Sequence, residues 1–396
     1  MSERQRSATR KKDLAQAFSA LAEAARDRQP VAGWTHNFYR YPARFSPQFA
    51  SAAITLFSKP GDLVLDPYMG GGTSIVEGVA AGRRMVGNDL NALAGFITKV
   101  KITGLTEREN AAVRQWATKK VPGLSYWLPP GKVIDFIDPV KTYNLTLPRA
   151  RFIKKVVAGA LASIEQLPSA NAQNLAKCAV LRVSQWALDG RERQTSVSAF
   201  RERLVDTTKE MVDAVEGFAK QAKRTGGCGI VLHGDASDLG SAAVFSDEKA
   251  SLVVTSPPYP GVHVLYHRWQ VDGRRETPAP YWIAGCNDGE GGSYYNFGDR
   301  RDTAMDRYFA ASLKTLKAIR TVVRTGGYMI QIVAFNRPEE QLPRYLENME
   351  EAGFEEVSAG GNAERIWRQV PGRKWHTTLR GQPHVADEAA KGLVAA

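Results

Sequence analysis

Residues 66–73, Asp-Pro-Tyr-Met-Gly-Gly-Gly-Thr, directly follow the apolar run Leu63, Val64 and Leu65. A short apolar run that ends in a glycine-rich turn is typical of a buried strand leading into a helix. The glycines allow the backbone to approach a nucleotide-like ligand closely, because they lack a side chain and tolerate positive φ. A second apolar run, residues 85–87, predicts the next strand. The region therefore forms one βαβ unit with a right-handed crossover in a parallel sheet.

A second motif lies far downstream, where residues 256–259, Ser-Pro-Pro-Tyr, follow the apolar run 252–254. Two prolines make such a loop rigid, which limits the entropy lost when a ligand binds. The hydroxyl of Ser256 and the carbonyl of Pro257 are hydrogen-bond acceptors, and the ring of Tyr259 can stack on a planar base. A proline-rich surface loop would explain the tetrapeptide alone, but not its position directly after a buried strand.

Acidic residues follow three successive predicted strands. Asp66 ends the first, and Asp89 comes 23 residues later, close to the spacing of a ribose-binding acid in a βαβ unit. Asp235 follows the predicted strand 230–232, and taken alone it also fits a turn-forming aspartate. The carboxyl ends of parallel strands meet at one edge of a sheet, so the three acids predict a single ligand site there.

Three segments together resemble the S-adenosylmethionine-dependent DNA amino-methyltransferases. Residues 41–47, Tyr-Pro-Ala-Arg-Phe-Ser-Pro, resemble the segment that closes over the methionine end of the cofactor. Residues 66–73 resemble the family pattern Asp-Pro-Phe-x-Gly-x-Gly-Thr, with Tyr68 in place of Phe, and residues 256–259 resemble the catalytic tetrapeptide. The resemblance implies an α/β fold: a Rossmann-like class I methyltransferase sheet with helices on both faces, a C-terminal antiparallel hairpin and an inserted helical subdomain.

The resemblance implies bound S-adenosyl-L-methionine. Asp89 is expected to accept from the ribose hydroxyls and Asp235 from the adenine amino group, while Asp66 receives the methionine ammonium directly or through a water. Thr73 is expected to cap the following helix. The expected cofactor-binding residues are Tyr41, Pro42, Ala43, Arg44, Phe45, Asp66, Pro67, Gly70, Gly72, Thr73, Asp89, Leu90, Asp235 and Ala236.

The expected reaction is methylation of an exocyclic amine, which is a poor nucleophile because its lone pair is delocalised into the ring. Hydrogen bonds from the amine to Ser256 and Pro257 draw the nitrogen toward sp³ character. The base must first leave the duplex, at a cost of roughly a few kcal/mol. Ser in the first position is commoner in cytosine-N4 enzymes and Asp or Asn in adenine-N6 enzymes, so cytosine in double-stranded DNA is favoured and adenine stays open. The expected catalytic residues are Ser256, Pro257, Pro258 and Tyr259.

The charge balance favours a polyanionic partner. The 396 residues include 53 Lys and Arg against 41 Asp and Glu, a net charge of +12. Neutralised phosphates release condensed counterions, which favours binding to nucleic acid, although surface charge that serves solubility would also explain the excess. Aromatic and basic residues after the tetrapeptide and in the predicted hairpin either contact DNA or pack within their loops. The candidates are His263, Tyr266, Arg268, Arg373 and Lys374.

The chain is expected to have five parts. They are a basic N-terminal segment (1–33) with a loosely packed helix, the first part of the methyltransferase domain (34–105), an inserted helical subdomain (106–226), the second part of the domain (227–385) and a frayed tail (386–396). The resemblance covers roughly residues 34–105 and 229–380, and no family motif lies in the insertion.

Two further features were interpreted from local pattern. A closing hairpin is predicted from residues 364–370, a turn at Pro371 and Gly372, and residues 374–379. The dense basic residues of the insertion either track a phosphate backbone or form the solvated faces of amphipathic helices. For any single residue the second interpretation is favoured.

Other functions reuse similar motifs. An RNA guanine-N2 methyltransferase usually carries Asp-Pro-Pro-Tyr and an added RNA-binding domain, whereas this loop begins with Ser. An inactive DNA-binding protein of the same fold would not need the complete motif set. Carbon-5 cytosine methylation is excluded, because that reaction uses a Pro-Cys nucleophile and the chain has no Pro-Cys dipeptide. A partner restriction endonuclease is a family-level expectation, and an orphan regulatory methylase fits equally well.

Composition limits the remaining classes. The three cysteines have no metal-type spacing, so no metal site is expected and the thiols are expected to be reduced. No apolar stretch reaches the length of a membrane span, and the N-terminus lacks a signal-peptide core, which favours a cytoplasmic location. The oligomeric state stays open.

Overall fold

The structure is a computed structural model. It describes residues 3–27, 29–41, 46–127, 134–148, 150–190, 193–260, 268–271, 273, 275–289, 302–335, 337–357, 366–369 and 389–395. The strands of its central sheet are β1 (Leu63–Asp66), β2 (Arg84–Asp89), β3 (Cys228–His233), β4 (Ala250–Thr255), β7 (Val323–Ala334), β8 (Ile366–Gln369) and β9 (Ala389–Ala395), and β5 (Trp269–Val271) and β6 (Arg275–Thr277) form a separate antiparallel pair.

The central sheet has the strand order β3-β2-β1-β4-β7-β9-β8. The first five strands pair in parallel, and β9 runs antiparallel to both of its neighbours. The chain order reverses between β1 and β4, and the carboxyl ends of strands at such a switch point are where open α/β sheets bind ligands. The predicted Rossmann-like α/β fold is confirmed.

Helices cover both faces of the sheet and build the insertion. They are α1 (Glu3–Arg26), α2 (Pro47–Phe57), α3 (Thr73–Ala80), α4 (Ala92–Ile102), α5 (Glu107–Lys119), α6 (Arg151–Ile164), α7 (Ala170–Leu188), α8 (Val197–Thr225), α9 (Ala279–Ala284), α10 (Asp302–Val322) and α11 (Pro338–Glu351). None of the helices in the described ranges is both long enough and apolar enough to span a membrane.

Strand β1 shows how the sheet separates two cores. Successive side chains of a strand point to opposite faces. Leu63 and Leu65 therefore pack with α10 and α11 on one face, whereas Val64 packs with α1, α2 and α3 on the other. All four residues of β1 are buried, as expected for a parallel strand covered by helices on both sides.

The insertion does not form a core of its own. With the exception of Phe218 in α8, the buried hydrophobic residues of α5 to α8 belong to one cluster with residues of α4, the segment around Tyr39, the strand β5 and the helix α9. Trp269 of β5 is 1% exposed, and its indole Nε1 donates to the hydroxyl of Tyr39 at 3.0 Å. The helical layer is therefore continuous with the elements that flank the site.

The N-terminal helix packs more closely than its sequence predicts. Phe18, Leu21 and Ala25 of α1 are buried, and the ring of Phe18 meets Phe57 of α2 edge-on with 6.2 Å between centroids. Their spacing of three and four residues places these side chains on one face of α1.

The end of the chain also differs from the expectation. Residues 386–396 were expected to fray, but β9 occupies most of them and pairs with both β7 and β8. Strand β8 lies within the predicted hairpin, while its predicted turn and second strand lie outside the described residues. An unpaired edge of β7 would leave backbone donors and acceptors unsatisfied, and β9 supplies their partners. Four of the seven residues of β9 are Ala or Gly, which have weak strand propensity, so the sequence pattern does not reveal this strand.

The junction between α8 and β3 gives a test of packing. A Cβ on Gly227 would lie 2.0 Å from the backbone oxygen of Val79, whereas a Cβ on Gly217, inside α8, would meet nothing within 4 Å. Gly227→Ala should lower the free energy of unfolding by about 2–4 kcal/mol, because a backbone atom cannot move aside cheaply.

The matched variant Gly217→Ala should leave stability unchanged or raise it by up to about 1 kcal/mol, since Ala favours a helix interior over Gly. Urea unfolding followed by circular dichroism measures both variants. Equal midpoints for the two would show that the contact at Gly227 relaxes freely.

Candidate active site at the carboxyl ends of the strands

The carboxylate of Asp66, at the end of β1, holds three segments together. Thr255 at the end of β4 donates its hydroxyl to Asp66 Oδ1 at 2.7 Å, and the backbone N–H of Tyr68 donates to the same oxygen at 3.1 Å. Ser74 in the first turn of α3 donates to Oδ2. Asp66 is only 1% exposed. Its carboxylate therefore fixes the positions of the glycine-rich loop and the loop after β4, and a direct contact with a ligand ammonium stays a prediction.

Burial governs the protonation of Asp66. It raises the pKa of the carboxyl to about 6, while the hydrogen bonds from Ser74, Thr255 and Tyr68 act in the opposite direction.

Asp89, at the end of β2, binds the glycine-rich loop. Its Oδ2 accepts from the backbone N–H of Gly70 at 2.8 Å, and its Oδ1 accepts from the N–H of Asn91 at 2.8 Å. Burial raises the pKa of Asp89 to about 6, and the two backbone donors oppose the shift. Each oxygen keeps acceptor capacity for one further donor, which suits a pair of ribose hydroxyls.

The end of β3 is joined to the same edge. Asn88 is 3% exposed, and its side-chain Nδ2 donates to the carbonyl of Gly234 at 3.0 Å. The ring Nε2 of His233 donates to the carbonyl of Leu90 at 3.1 Å. Asp235 is exposed, and its Oδ1 caps the following 3-10 helix by accepting from Ser237 N–H at 2.8 Å. Asp235 therefore forms a turn, and its predicted contact with adenine stays a prediction, as does that of the buried Ala236.

The glycine-rich loop takes a conformation that requires glycine. Gly70 has a φ of 47° and Gly72 a φ of 72°. Gly71 lies so close to Tyr41 that a Cβ would come within 2.9 Å of that side chain. The buried ammonium of Lys101, on α4, donates to the carbonyl of Gly71 at 2.5 Å. The loop is thus fixed between Tyr41 and α4.

The expectation that Thr73 caps α3 is wrong. Gly72 is the N-cap residue, in a left-handed conformation, and no side chain caps the helix. Thr73 is the first helical residue, and its buried hydroxyl has no hydrogen-bond partner in the described part of the chain. The helix thus begins one residue earlier than a cap at Thr73 would require, because Gly72 occupies the N-cap position.

The Ser-Pro-Pro-Tyr loop leaves β4 next to Asp66. Ser256 Oγ lies 3.1 Å from the carbonyl oxygen of Ile332 on β7 and 2.7 Å from the hydroxyl of Tyr259. A carbonyl only accepts, so the single proton of Ser256 goes to Ile332, and Tyr259 must donate to Ser256. The serine oxygen is therefore held as an acceptor, with one lone pair still available.

A buried tyrosine on α10 supports the Ser-Pro-Pro-Tyr loop. Tyr308 on α10 is 4% exposed and donates its hydroxyl to the carbonyl of Pro258 at 3.0 Å. Burial raises the pKa of Tyr308, and the neighbouring Tyr68 and Tyr259 add to the shift. The hydroxyl therefore stays protonated and remains a donor.

The remaining predicted residues do not contribute a described side chain to this site. Arg268 makes an ion pair with Asp288 at 2.7 Å and donates to the hydroxyl of Tyr143 at 3.4 Å, so it packs within the protein. Across the described ranges, no group of three or more His, Cys, Asp or Glu side chains could hold a metal ion. Pro42, Ala43, Arg44, Phe45, His263, Tyr266, Arg373 and Lys374 lie outside the described residues.

Sequence reasoning missed several residues that position the site. They are Ser74, Asn88, Lys101, Thr255 and Tyr308. Asn88 and Thr255 are polar residues at the carboxyl ends of β2 and β4, which is a signal that the sequence offers. Lys101 and Tyr308 lie on amphipathic helices, where nothing in the local pattern distinguishes them from solvated residues.

Comparison with known proteins supports the resemblance within the first quarter of the chain. Residues 2–94 match the N6/N4 family model described as DNA methylase. The type II methyltransferase M.MvaI of Kocuria varians is 44% identical over 72 residues, which are 17% of this chain and 16% of that protein. The type II methyltransferase M.MjaII of Methanocaldococcus jannaschii is 29% identical over 86 residues, 22% of this chain and 15% of that protein. The matched stretch thus spans about a sixth of each relative.

Two solved structures show a weaker overall likeness. TrmN from Thermus thermophilus has a TM-score of 0.34 and 12% identity, covering 91% of this chain and 51% of its own. The rRNA methyltransferase aviRa from Streptomyces viridochromogenes has a TM-score of 0.35 and 10% identity, covering 93% of this chain and 94% of its own.

The matched segment contains the glycine-rich loop, Asp66 and Asp89, while the Ser-Pro-Pro-Tyr loop lies outside it. The predicted resemblance is confirmed for this segment: residues 2–94 are similar to the N6/N4 DNA methylases.

Proposed function

We propose that this protein transfers a methyl group from S-adenosylmethionine to the exocyclic N4 of cytosine in double-stranded DNA. One observation carries the proposal. Asp66, the acid of the glycine-rich motif, accepts a hydrogen bond from Thr255, the residue directly before Ser256. Two motifs separated by about 190 residues in sequence thereby meet at one edge of the sheet.

The residues at this edge fit the cofactor. Gly71 has no side chain where Tyr41 lies against the loop, and Tyr41 begins the segment predicted to close over the methionine end. Asp89 presents two carboxylate oxygens beside the loop for the ribose hydroxyls. When bound, S-adenosylmethionine supplies an electrophilic methyl group.

Ser256 and Pro257 would activate the target amine. Ile332 and Tyr259 already orient the oxygen of Ser256 as an acceptor. It therefore accepts a hydrogen bond from the target amine without rearranging. The Pro257 carbonyl accepts the other. These two bonds pull electron density onto the nitrogen and localise its lone pair. Tyr308 holds the adjacent peptide through the carbonyl of Pro258, which limits movement of the loop.

The direct test is to incubate the protein with unmethylated genomic DNA and S-adenosylmethionine, and to analyse the digested nucleosides by mass spectrometry. N4-methylcytosine is the expected product. N6-methyladenine would keep the mechanism and overturn the choice of base. No modified nucleoside from a protein that binds the cofactor would overturn the proposal, and parallel reactions with RNA would then identify an RNA substrate or leave an inactive DNA-binding protein.

Removing the hydroxyl of Ser256 tests its role. Ser256→Ala should lower the methyl-transfer rate by roughly 100-fold or more, since one preoriented hydrogen-bonding group at a reacting atom contributes about that much. Cofactor affinity, measured by calorimetry, should stay as in the parent. Ser246→Ala, at an exposed serine, is the matched control.

Tyr259→Phe, assayed in parallel, keeps the aromatic ring but removes the hydroxyl. Its methyl-transfer rate should fall about tenfold, because Ser256 loses one of its two orienting hydrogen bonds. Full activity of Ser256→Ala would remove the serine from the mechanism.

The raised pKa of Asp89 predicts a pH-dependent cofactor affinity. The carboxylate is ionised only above its pKa of about 6, so affinity should rise as the pH rises through 6 and level off above it. Asp89→Asn should weaken binding by about 10- to 100-fold at pH 8, the worth of hydrogen bonds to a charged acceptor. It should also flatten the profile, with any remaining slope due to Asp66.

Isothermal titration calorimetry from pH 5 to pH 8 measures both effects. Asp238→Asn, at an exposed acid in the neighbouring 3-10 helix, should behave as the parent. A profile for Asp89→Asn that matches the parent would show that Asp89 does not contact the cofactor.

A further inference from the structure

One face of α7 carries a polar cluster that the reaction does not use. Gln185 and Trp186 come three and four residues after Arg182, and Asp189 comes four and three residues after that pair. The four residues therefore lie along one side of the helix and its C-terminal end. On the adjacent helix α8, the guanidinium of Arg203 stacks over the ring of Trp186 at 4.5 Å.

Gln185 holds a third arginine, Arg40, next to this face of α7. Its side-chain Oε1 accepts from the backbone N–H of Arg40 at 3.1 Å, and its Nε2 donates to the carbonyl of Arg40 at 2.9 Å. Both bonds hold the backbone, which leaves the exposed guanidinium of Arg40 available. Arg182 also donates to Oε1 of Gln185, at 3.4 Å.

The three guanidinium groups repel one another. Burial lowers the pKa of Arg182, and the charges of Arg203 and Arg40 lower it further. Asp189 faces Arg40, but its Oδ1 already accepts from the N–H of Gln270 at 3.0 Å. Among the described residues, none of the three arginines makes an ion pair within 4 Å. An arrangement of like charges without close counterions favours the binding of an anion.

The cluster lies at the rim of the proposed site. Arg40 is directly followed by Tyr41, which lies against the glycine-rich loop. At the other end of the face, Gly190 donates its N–H to the carbonyl of Gln270 at 2.8 Å, on the strand β5 that follows the catalytic loop in sequence. The arginines are thus held between the segment that covers the cofactor loop and the hairpin beyond the catalytic loop.

We propose that Arg40, Arg182 and Arg203, with the ring of Trp186, bind the phosphate backbone of the duplex next to the base that is methylated. Phosphate oxygens match the planar donors of guanidinium groups, and stacking on Trp186 holds Arg203 in place. This inference rests on the proposed function. It assigns a role to Arg203 and not to the other basic cluster of the insertion, around Arg151.

The test is equilibrium binding of a fluorescent duplex between 50 and 300 mM salt, measured by fluorescence anisotropy. The double variant Arg40→Gln, Arg203→Gln changes two exposed side chains. It should make the slope of log K against log salt less negative by roughly 2, since each phosphate contact contributes about 0.9. Affinity at low salt should fall roughly tenfold or more.

The matched control removes the same charge from the same helix. Lys209 and Lys220 are exposed on α8, and Lys209→Gln, Lys220→Gln should keep the parent slope. Arg182 is partly buried, so Arg182→Gln is compared with Arg182→Lys, which keeps the charge and should keep most of the slope. Melting temperatures close to that of the parent establish that the variants are folded.

The outcomes separate this inference from the function on which it depends. One outcome is that the parent protein methylates DNA while the arginine variants keep the salt dependence of the lysine control. That result would overturn the assignment of the phosphate-binding surface and leave the proposed function intact. If the parent neither binds nor methylates the duplex, both fail. Arginine-dependent binding of structured RNA in preference to the duplex would overturn DNA as the partner.

Discussion

The site depends on one buried carboxylate. Transferring an ionised carboxylate out of water is costly unless donors replace the lost water, and Asp66 meets donors from three different segments. Each of these donors is short and rigid: a backbone N–H and two hydroxyls next to the backbone. As a result, the end of β1, the first turn of α3 and the end of β4 keep a fixed relation. The glycine-rich loop and the Ser-Pro-Pro-Tyr loop are positioned against each other before any ligand arrives, which is the preorganisation that the proposed catalysis by hydrogen bonding needs.

A second constraint balances charge beneath the glycine-rich loop. Asp66 and Asp89 are both held in surroundings that raise their pKa values to about 6, and the ammonium of Lys101 lies below Gly71. A cationic ligand placed over the loop would favour the ionised form of both acids. The proposed cofactor, S-adenosylmethionine, carries a sulfonium charge, so its binding and the deprotonation of the two acids should support each other.

The sequence predicts the parts of the site that have local signals. Apolar runs ending in glycine or proline identify β1 and β4, and the acids at the strand ends identify the edge where they meet. It does not predict long-range supports. Lys101 and Tyr308 act through the carbonyls of Gly71 and Pro258, and those contacts exist only after distant helices have packed. The same holds for Arg40, whose place beside Arg182 depends on Gln185, about 145 residues further along the chain.

The shared core of the helical layer limits how this protein could change its target. Buried residues of the insertion pack with α4, with Tyr39 and with Trp269, all of which belong to the segments on either side of the insertion in sequence. The insertion is therefore not a module that could be exchanged between relatives as a unit, because its removal would expose apolar surface on the rest of the molecule. New sequence preferences would have to arise by substitutions on the outer faces of α7 and α8, with the interior retained. Sequence differences between relatives should therefore be concentrated at solvent-facing positions. Buried positions should change only when a neighbouring residue changes to preserve the packing.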